Sequence, residues 1–362
     1  MPNATAVETL SGTEPADAER WRTLVSTARS PDVYYLPEYA RANCELENSE
    51  PLAIVAGADD CRILAPLLVR PMSAAVGDSR VEWLDACSPY GYGGLLNLSS
   101  KDTVDARDLH NFFDGLHNWC CDHRVVCCVI RLHPLLRQEE WFTPKEYWQK
   151  FLRLEVRGST SGIDLGDWDA QLRRPRSLRK DRRSDLNLAR RALRVAWKGG
   201  EDHDAEASLD LFFKLYSQSL DKHHSDEFYR FSPSYFSHLA ALRSHLGIAF
   251  VSLGEELMGA NMFMAGSVYA HGHLAFTNEA GKKNGAATLL IVEGADWARE
   301  RGCKILHLGG GMSSGDSLEY YKRSFGGPSY RYAYVNYIAD PERFEQICRI
   351  PTPPWPYRLS EV

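Results

Sequence analysis

The stretch His307-Leu-Gly-Gly-Gly-Met-Ser-Ser-Gly-Asp-Ser-Leu-Glu-Tyr-Tyr-Lys-Arg-Ser-Phe-Gly326 decides how this chain is read. An apolar strand pattern over residues 304–308 runs into glycines, and Leu318, Tyr321 and Phe325 then recur at helical spacing. Glycines let a ligand approach the backbone, and a helix starting near Asp316 offers free N–H groups to an anion or a developing oxyanion. The same spacing also describes a tight turn capped by Asp316, with Leu318, Tyr321 and Phe325 as core residues.

Upstream of this segment the pattern alternates between helix and strand. A frayed start over residues 1–18 precedes a helix carrying Trp21, Leu24 and Val25; strands come next at 52–55 and 63–69, then the glycine-rich loop 88–94, a helix at 106–123 and a buried strand at 125–132. Beyond residue 204 come helices at 204–220 and 233–246, strands at 247–253, 257–264 and 267–277, a long helix at 286–301 and the strand at 304–308. Helices, strands, helix and strand thus occur twice in the same order. This predicts an α/β fold of two architecturally similar units, 1–165 and 166–348, with a proline-rich extended tail at 349–362.

Composition narrows the function classes. With 362 residues, 44% hydrophobic and 25% charged, the chain falls among folded globular proteins. The net charge of -6 excludes a general polyanion binder, so any nucleic-acid contact must be local. It is localised: residues 173–198 hold nine arginines and two lysines against Asp181 and Asp185, a local net of +9. That run is either a solvated helix face or a track for nucleic-acid phosphates through Arg179, Lys180, Arg182 and Arg183. Nine cysteines without zinc spacing read as reduced, mostly buried thiols with no metal site, which together with the lack of a signal or spanning segment points to a cytoplasmic protein. Hydrolase, kinase and dehydrogenase signatures are missing: there is no Gly-x-Ser-x-Gly elbow, no Cys-His signature, no Walker A and no GxGxxG after a strand. His271 and His273 alternate with Gly272 on one strand, so both imidazoles and Tyr269 are expected on one face, where they can accept a proton or bind metal with His307.

The order of several segments resembles the Fem family of non-ribosomal peptidyl transferases, built from two GNAT-like acyltransferase units. The resemblance runs through Val33-Tyr-Tyr-Leu-Pro-Glu-Tyr39, Ser88-Pro-Tyr-Gly-Tyr-Gly-Gly94, the basic run leading to Leu215-Tyr-Ser-Gln-Ser-Leu-Asp-Lys222, Tyr229-Arg-Phe-Ser-Pro-Ser-Tyr-Phe236, Ala270-His-Gly-His-Leu-Ala-Phe276 and the glycine segment quoted first. It implies two tandem GNAT-like units, each a mixed, mostly antiparallel sheet flanked by helices. It also implies amide-bond formation from an aminoacyl-tRNA ester and an amine acceptor, with no cofactor. The family's lysine, in an aromatic-Lys-x-x-Phe segment, maps onto Lys322, with Tyr321 in place of phenylalanine. Carried onto the matching position, catalysis falls to Lys322; the strand pattern adds His273 as the candidate proton acceptor, and the candidate substrate contacts are Tyr90, Tyr92, Lys222, Tyr229, Tyr269, Gly309, Gly310, Gly311 and Tyr321. The coiled-coil arm of many cell-wall members has no room between residues 165 and 205, which admits a small-molecule or peptide acceptor in a biosynthetic pathway as well as a wall precursor.

Two alternatives stand beside this reading. Lys282-Lys-Asn-Gly-Ala-Ala287, ahead of the long helix, partly fits the pyrophosphate loop of acyl-CoA-dependent N-acyltransferases, although lysine stands where Arg or Gln is expected. A non-catalytic RNA-binding or scaffold protein would keep the double fold without the chemistry.

Overall fold

The computed structural model describes residues 7–44, 48–58, 60–73, 82–101, 103–149, 152–223, 230–311 and 315–350. The chain divides into two compact units, Met1–Arg157 with Arg331–Val362, and Gly158–Tyr330.

In the first unit, β1 (Glu8–Ser11) is followed by helices α1 (Pro15–Thr27) and α2 (Pro37–Cys44), strands β2 (Glu50–Ala58), β3 (Cys61–Pro71), β4 (Leu84–Cys87) and β5 (Leu96–Asn97), helix α3 (Ala106–His123) and strand β6 (Val125–Arg131). Helix α3 forms where the spacing predicts it. Asp105 and Asp108 close a capping box at its start, and Arg124, in the left-handed region at φ 57, ends it. Its stripe of Leu109, Phe112, Leu116 and Trp119 packs on one sheet face with Ile54, Ile63 and Ile130. Trp21, Val25 and Tyr35 pack the other face with Val55, Leu64 and Leu96. The residues expected to fray contain β1, which pairs with β2 from Glu8↔Val55 to Ser11↔Leu52. Burial of Leu10 and the ion pairs of Glu8 with Arg20 and Arg62 hold that strand in place.

The chain leaves this unit along β7 (Leu152–Asp164). The second unit continues with a short hairpin of β8 (Trp168–Asp169) and β9 (Arg174–Pro175), α4 (Lys180–Ala192), β10 (Arg194–Gly199), α5 (Ala205–His223), α6 (Pro233–Leu239), β11 (Leu246–Leu253), β12 (Glu256–Ala265) and β13 (Tyr269–Thr277). Then come α7 (Glu279–Lys283), α8 (Ala286–Glu300), β14 (Ile305–Gly310) and α9 (Ser317–Arg323). The chain returns along β15 (Ser329–Ile338) and ends its described part in α10 (Pro341–Cys348). Residues 331–348, expected in the second unit, belong to the first, because Tyr334–Ile338 pairs with β6. The helix expected at 233–246 stops at Leu239 and gives way to a tight turn in which Arg243 takes φ 49. The tail from residue 351 lies outside the described residues.

Both units repeat one device. In the first, β4 crosses over through α3 to the parallel strand β6; in the second, β13 crosses over through α8 to the parallel strand β14. The remaining described pairings in each sheet are antiparallel. Helix α8 sits so close to its sheet that a Cβ on Gly294 would lie 2.1 Å from the Phe263 ring. Opposite, Phe212, Tyr216 and Phe236 form an aromatic layer that meets Phe276.

After α9 the chain needs two glycines. Gly326 adopts φ +83, and a Cβ on Gly327 would lie 1.8 Å from the carbonyl oxygen of Gly162 on β7. Backbone cannot yield there as a side-chain tip can. Gly327→Ala should therefore lower the free energy of unfolding by about 1–3 kcal/mol, the usual cost of overpacking, read as a lower urea midpoint at unchanged slope.

Candidate active site

The parallel ladder between β13 and β14 has three pairs, Tyr269↔Ile305, Ala270↔Leu306 and His271↔His307. Beyond the histidines β14 continues against β7 alone, with a register shift between His307 and Gly309 and then Gly309↔Ser161 and Gly310↔Thr160. Gly309 takes φ 73, a left-handed value that glycine adopts without steric cost. The glycine run therefore emerges where two strands part, at the approach to helix α9.

Asp316 caps α9 by accepting a hydrogen bond from the Glu319 amide at 2.7 Å, and the Asp316 carboxylate fills the space beside Gly311, where a Cβ would lie 2.3 Å from Oδ1. Glu319 accepts from Ser159 Oγ at 2.6 Å and from the Gly315 amide at 2.7 Å, and these donors hold its carboxyl below the usual range. One turn of helix then carries Lys322 back over the glycines, where Nζ donates to the Gly310 carbonyl at 2.6 Å. Burial pushes the Lys322 ammonium down from 10.5 to about 8, with Asp316 opposing the shift. Next to it, the Tyr321 hydroxyl lies 3.3 Å from Thr288 Oγ1, the Arg182 guanidinium lies 5.0 Å from the Tyr321 ring centroid, and Phe325 meets the same ring edge-on. Lys322, Tyr321 and Gly309–Gly311 are thus one constellation. Asp316, Glu319, Ser159 and Thr288 complete it without having been expected as site residues. Only Asp316 left a sequence signal, as a helix cap; Ser159 and Thr288 arrive from distant strands and helices.

The histidines are not arranged as the alternation predicts. A β-bulge sets Phe263 opposite Gly272 and Met262 opposite Leu274, leaving His273 as the extra residue. His271 turns to His307, with Nδ1 atoms 3.4 Å apart, while His273 Nε2 pairs with the Tyr235 hydroxyl at 2.5 Å. Burial first, and His271 second, push the His273 imidazolium down to about 3, so this ring is neutral at physiological pH.

Other expected residues divide by unit. In the first, the loop holding Tyr90 and Tyr92 is set in tyrosines: the Tyr39 hydroxyl donates to the Tyr90 carbonyl at 2.8 Å, and the Tyr92 ring meets Tyr34 at 5.8 Å and Tyr332 at 4.9 Å. In the second, Tyr269 opens β13 and its carbonyl accepts from the Gly266 amide at 2.8 Å. Tyr229 and the side chain of Lys222 lie outside the described residues. The basic run is put to several uses. Arg173 clamps Asp296 with two hydrogen bonds, Arg190 donates to the Leu172 and Arg173 carbonyls, and Arg182 is drawn to Asp185 at 2.8 Å. Lys180 and Arg183 are exposed, and Arg179 stands over the Tyr320 ring at 5.0 Å. The pyrophosphate-like loop enters α8 through Gly285 at φ 73, where a Cβ would lie 2.5 Å from the Asp185 carbonyl oxygen. Main chain of α4 therefore packs on the start of that helix.

Residues 173–323 match the family described as an acetyltransferase (GNAT) domain. Among solved structures the chain is similar to FemX, at 14% identity and a TM-score of 0.67 over 94% of this chain and 99% of that one. It is also similar to L-PGS from Bacillus licheniformis, at 12% identity and a TM-score of 0.56 over 91% and 93%. A third likeness is the C-terminal domain of a putative lysylphosphatidylglycerol synthetase from Agrobacterium fabrum, at 14% identity and a TM-score of 0.56 over 88% and 91%. No curated protein matches the sequence. The fold is thus the Fem-like, GNAT-type α/β architecture that the motif order implied. Among the described residues no helix is long and apolar enough to cross a membrane.

Burial of Lys322 makes a testable statement about stability. Below pH 8 the lysine is protonated folded and unfolded alike, so the folded chain carries the full cost of burying it. Between 8 and 10.5 the folded chain has released a proton that the unfolded chain still holds, and stability contributed by this group rises with pH. The stability of Lys322→Met relative to the parent, measured by urea denaturation, should therefore be highest near pH 7 and decline as pH climbs through that window.

Proposed function

We propose that this protein transfers the aminoacyl group of an aminoacyl-tRNA to the amine of a small-molecule, peptide or cell-wall precursor acceptor. The observation that carries this reading is Lys322, a largely desolvated cation fixed over the Gly310 carbonyl at the point where β13 and β14 part. Aminolysis of an ester needs no protein nucleophile, only proximity, charge stabilisation and a proton acceptor. The amine nitrogen attacks the ester carbonyl carbon, the oxyanion develops beside the Lys322 ammonium, and the C–O bond to the tRNA ribose breaks as the amide forms. The amine's proton passes to the departing ribose oxygen. A half-buried cation pushed down to about 8 gains more from the developing oxyanion than a fully solvated lysine would. His273, neutral and paired with Tyr235, is the candidate to relay the proton.

Support for an aminoacyl-tRNA donor over acyl-CoA comes from the packing of Asp185 on Gly285, which crowds the entry to α8 with α4 main chain. Exposed Lys180 and Arg183 on α4 supply positive charge for a phosphate backbone. A scaffold would gain nothing from a buried lysine that costs it stability.

Given a mixed aminoacyl-tRNA pool and a panel of amines, the purified protein should release deacylated tRNA without added ATP or CoA. Lys322→Ala should slow this by about 10² or more while the protein stays folded. Charged tRNA left intact with every amine, together with consumption of acetyl-CoA, would move the donor to acyl-CoA. Replacing Lys180 and Arg183 with Gln should weaken tRNA binding and flatten its log-log salt dependence by about 0.7 to 0.9 per lost phosphate contact. An unchanged slope would return that helix to an ordinary solvated face.

A further inference from the structure

Helix α9 presents Lys322 and Tyr321 to the protein but turns another ring outward. Tyr320 is 57% exposed, and Leu318, two residues earlier, is 38% exposed. Among the described residues Tyr320 is the most exposed large hydrophobic side chain, whereas Phe325, just beyond the helix, is at 0% exposure. Tyr320 is also held in place. Arg179 is the N-cap of α4, its amide donates to the Ser324 carbonyl at the end of α9 at 3.2 Å, and its guanidinium stands 5.0 Å from the Tyr320 ring centroid. One face of the phenol is thus backed by a cation while more than half of the side chain stays open to solvent.

An aromatic ring stiffened by arginine beside exposed positive charge is suited to stack an unpaired nucleobase whose backbone is neutralised nearby. Arg176, Lys180 and Arg183, all exposed, flank Arg179 in the sequence. A duplex hides its base faces, so the surface fits the single-stranded end of an RNA. We infer that Tyr320, backed by Arg179, is a stacking platform for a base in the single-stranded 3′ end of the tRNA donor. This rests on the donor proposed above. Stacking outside the constellation would fix the end of the donor while Lys322 acts on its ester, and, since every base has a π face, it would tolerate sequence while discriminating single strand from duplex.

The test uses the whole protein and two RNA hairpins of identical stem, one ending in four unpaired 3′ nucleotides with a fluorescent 2-aminopurine among them, the other blunt. The parent should bind the overhanging hairpin more tightly, with the 2-aminopurine emission quenched on binding. Tyr320→Ala should weaken binding of the overhanging hairpin about 5- to 150-fold, the range for loss of one base–aromatic stack, and abolish the quenching. It should leave the blunt hairpin's affinity and the salt slope unchanged. Tyr320→Phe, which keeps the ring, should retain both binding and quenching. Equal losses on both hairpins, or quenching that survives Tyr320→Ala, would overturn the platform. Turnover of aminoacyl-tRNA by the parent alongside either result would leave the donor reading intact, whereas a parent that binds neither hairpin and turns over no aminoacyl-tRNA would remove both.

Discussion

A lysine ammonium taken out of water must find oxygen to replace its solvent, and in this chain that oxygen is the Gly310 carbonyl, 2.6 Å from Lys322 Nζ. Much of the second unit serves that bond. Gly309 at φ 73 lets β14 change register on β7, Asp316 starts the helix on the far side of the glycines, and Gly326 and Gly327 let the chain leave that helix against Gly162. Glu319 fastens the helix a second time through Ser159 and Gly315. A larger residue at Gly311 would meet the Asp316 carboxylate and displace the cap. The burial that moves the ammonium to about 8 is therefore the product of glycines at positions where any side chain would collide with backbone or carboxylate.

Several arginines of residues 173–198 are engaged within the fold. Arg173 ties the β8–β9 hairpin to Asp296 on α8, Arg190 ties α4 to the carbonyls of that hairpin, and Arg182, paired with Asp185 on its own helix, lies over the Tyr321 ring of α9. Arg182 reaches Asp185 and the Tyr321 ring at once, so the helix bearing Lys322 is braced by the same segment whose outer face carries Lys180 and Arg183. Within α4 the guanidinium groups of Arg182 and Arg190 are engaged by neighbouring groups, whereas Lys180 and Arg183 are exposed. Leu186 and Ala189, fully buried, mark the inner face.

The first unit uses the same crossover for a different kind of interior. Its glycine-rich loop is fixed by rings and by an arginine: Gly91 lies so close to Tyr34 that a Cβ would sit 2.5 Å from it, its carbonyl accepts from the Tyr332 hydroxyl at 3.3 Å, and the Arg131 guanidinium, beside the Tyr334 ring, donates to the Ser88 and Pro89 carbonyls. Gln138 completes the loop's anchoring, with Oε1 accepting from the amides of His133 at 2.8 Å and Leu95 at 3.2 Å. The two units share a parallel crossover but differ in what holds the corresponding loops.

Residue order alone determined the elements whose signals are local. The capping residues and apolar stripe of residues 106–123, the alternation in the strands and the glycines before Asp316 each act over a few residues, so the α/β class, both long crossover helices and the segment around Lys322 were legible. Pairing partners were not. Nothing near residues 8–11 announces an edge strand, because its stability comes from β2 more than forty residues away; nothing at residues 331–338 says that the chain returns to the first unit, because β6 supplies the ladder. Alternation put His271 and His273 together, and a bulge set by β12 separated them. Ser159 and Thr288 carry no local mark at all, and nothing in the motif that holds Tyr235 points to His273. Tertiary structure decided them because hydrogen bonds and desolvation depend on what lies within a few ångströms in space, which spacing along a chain encodes only when the neighbours are also close in sequence.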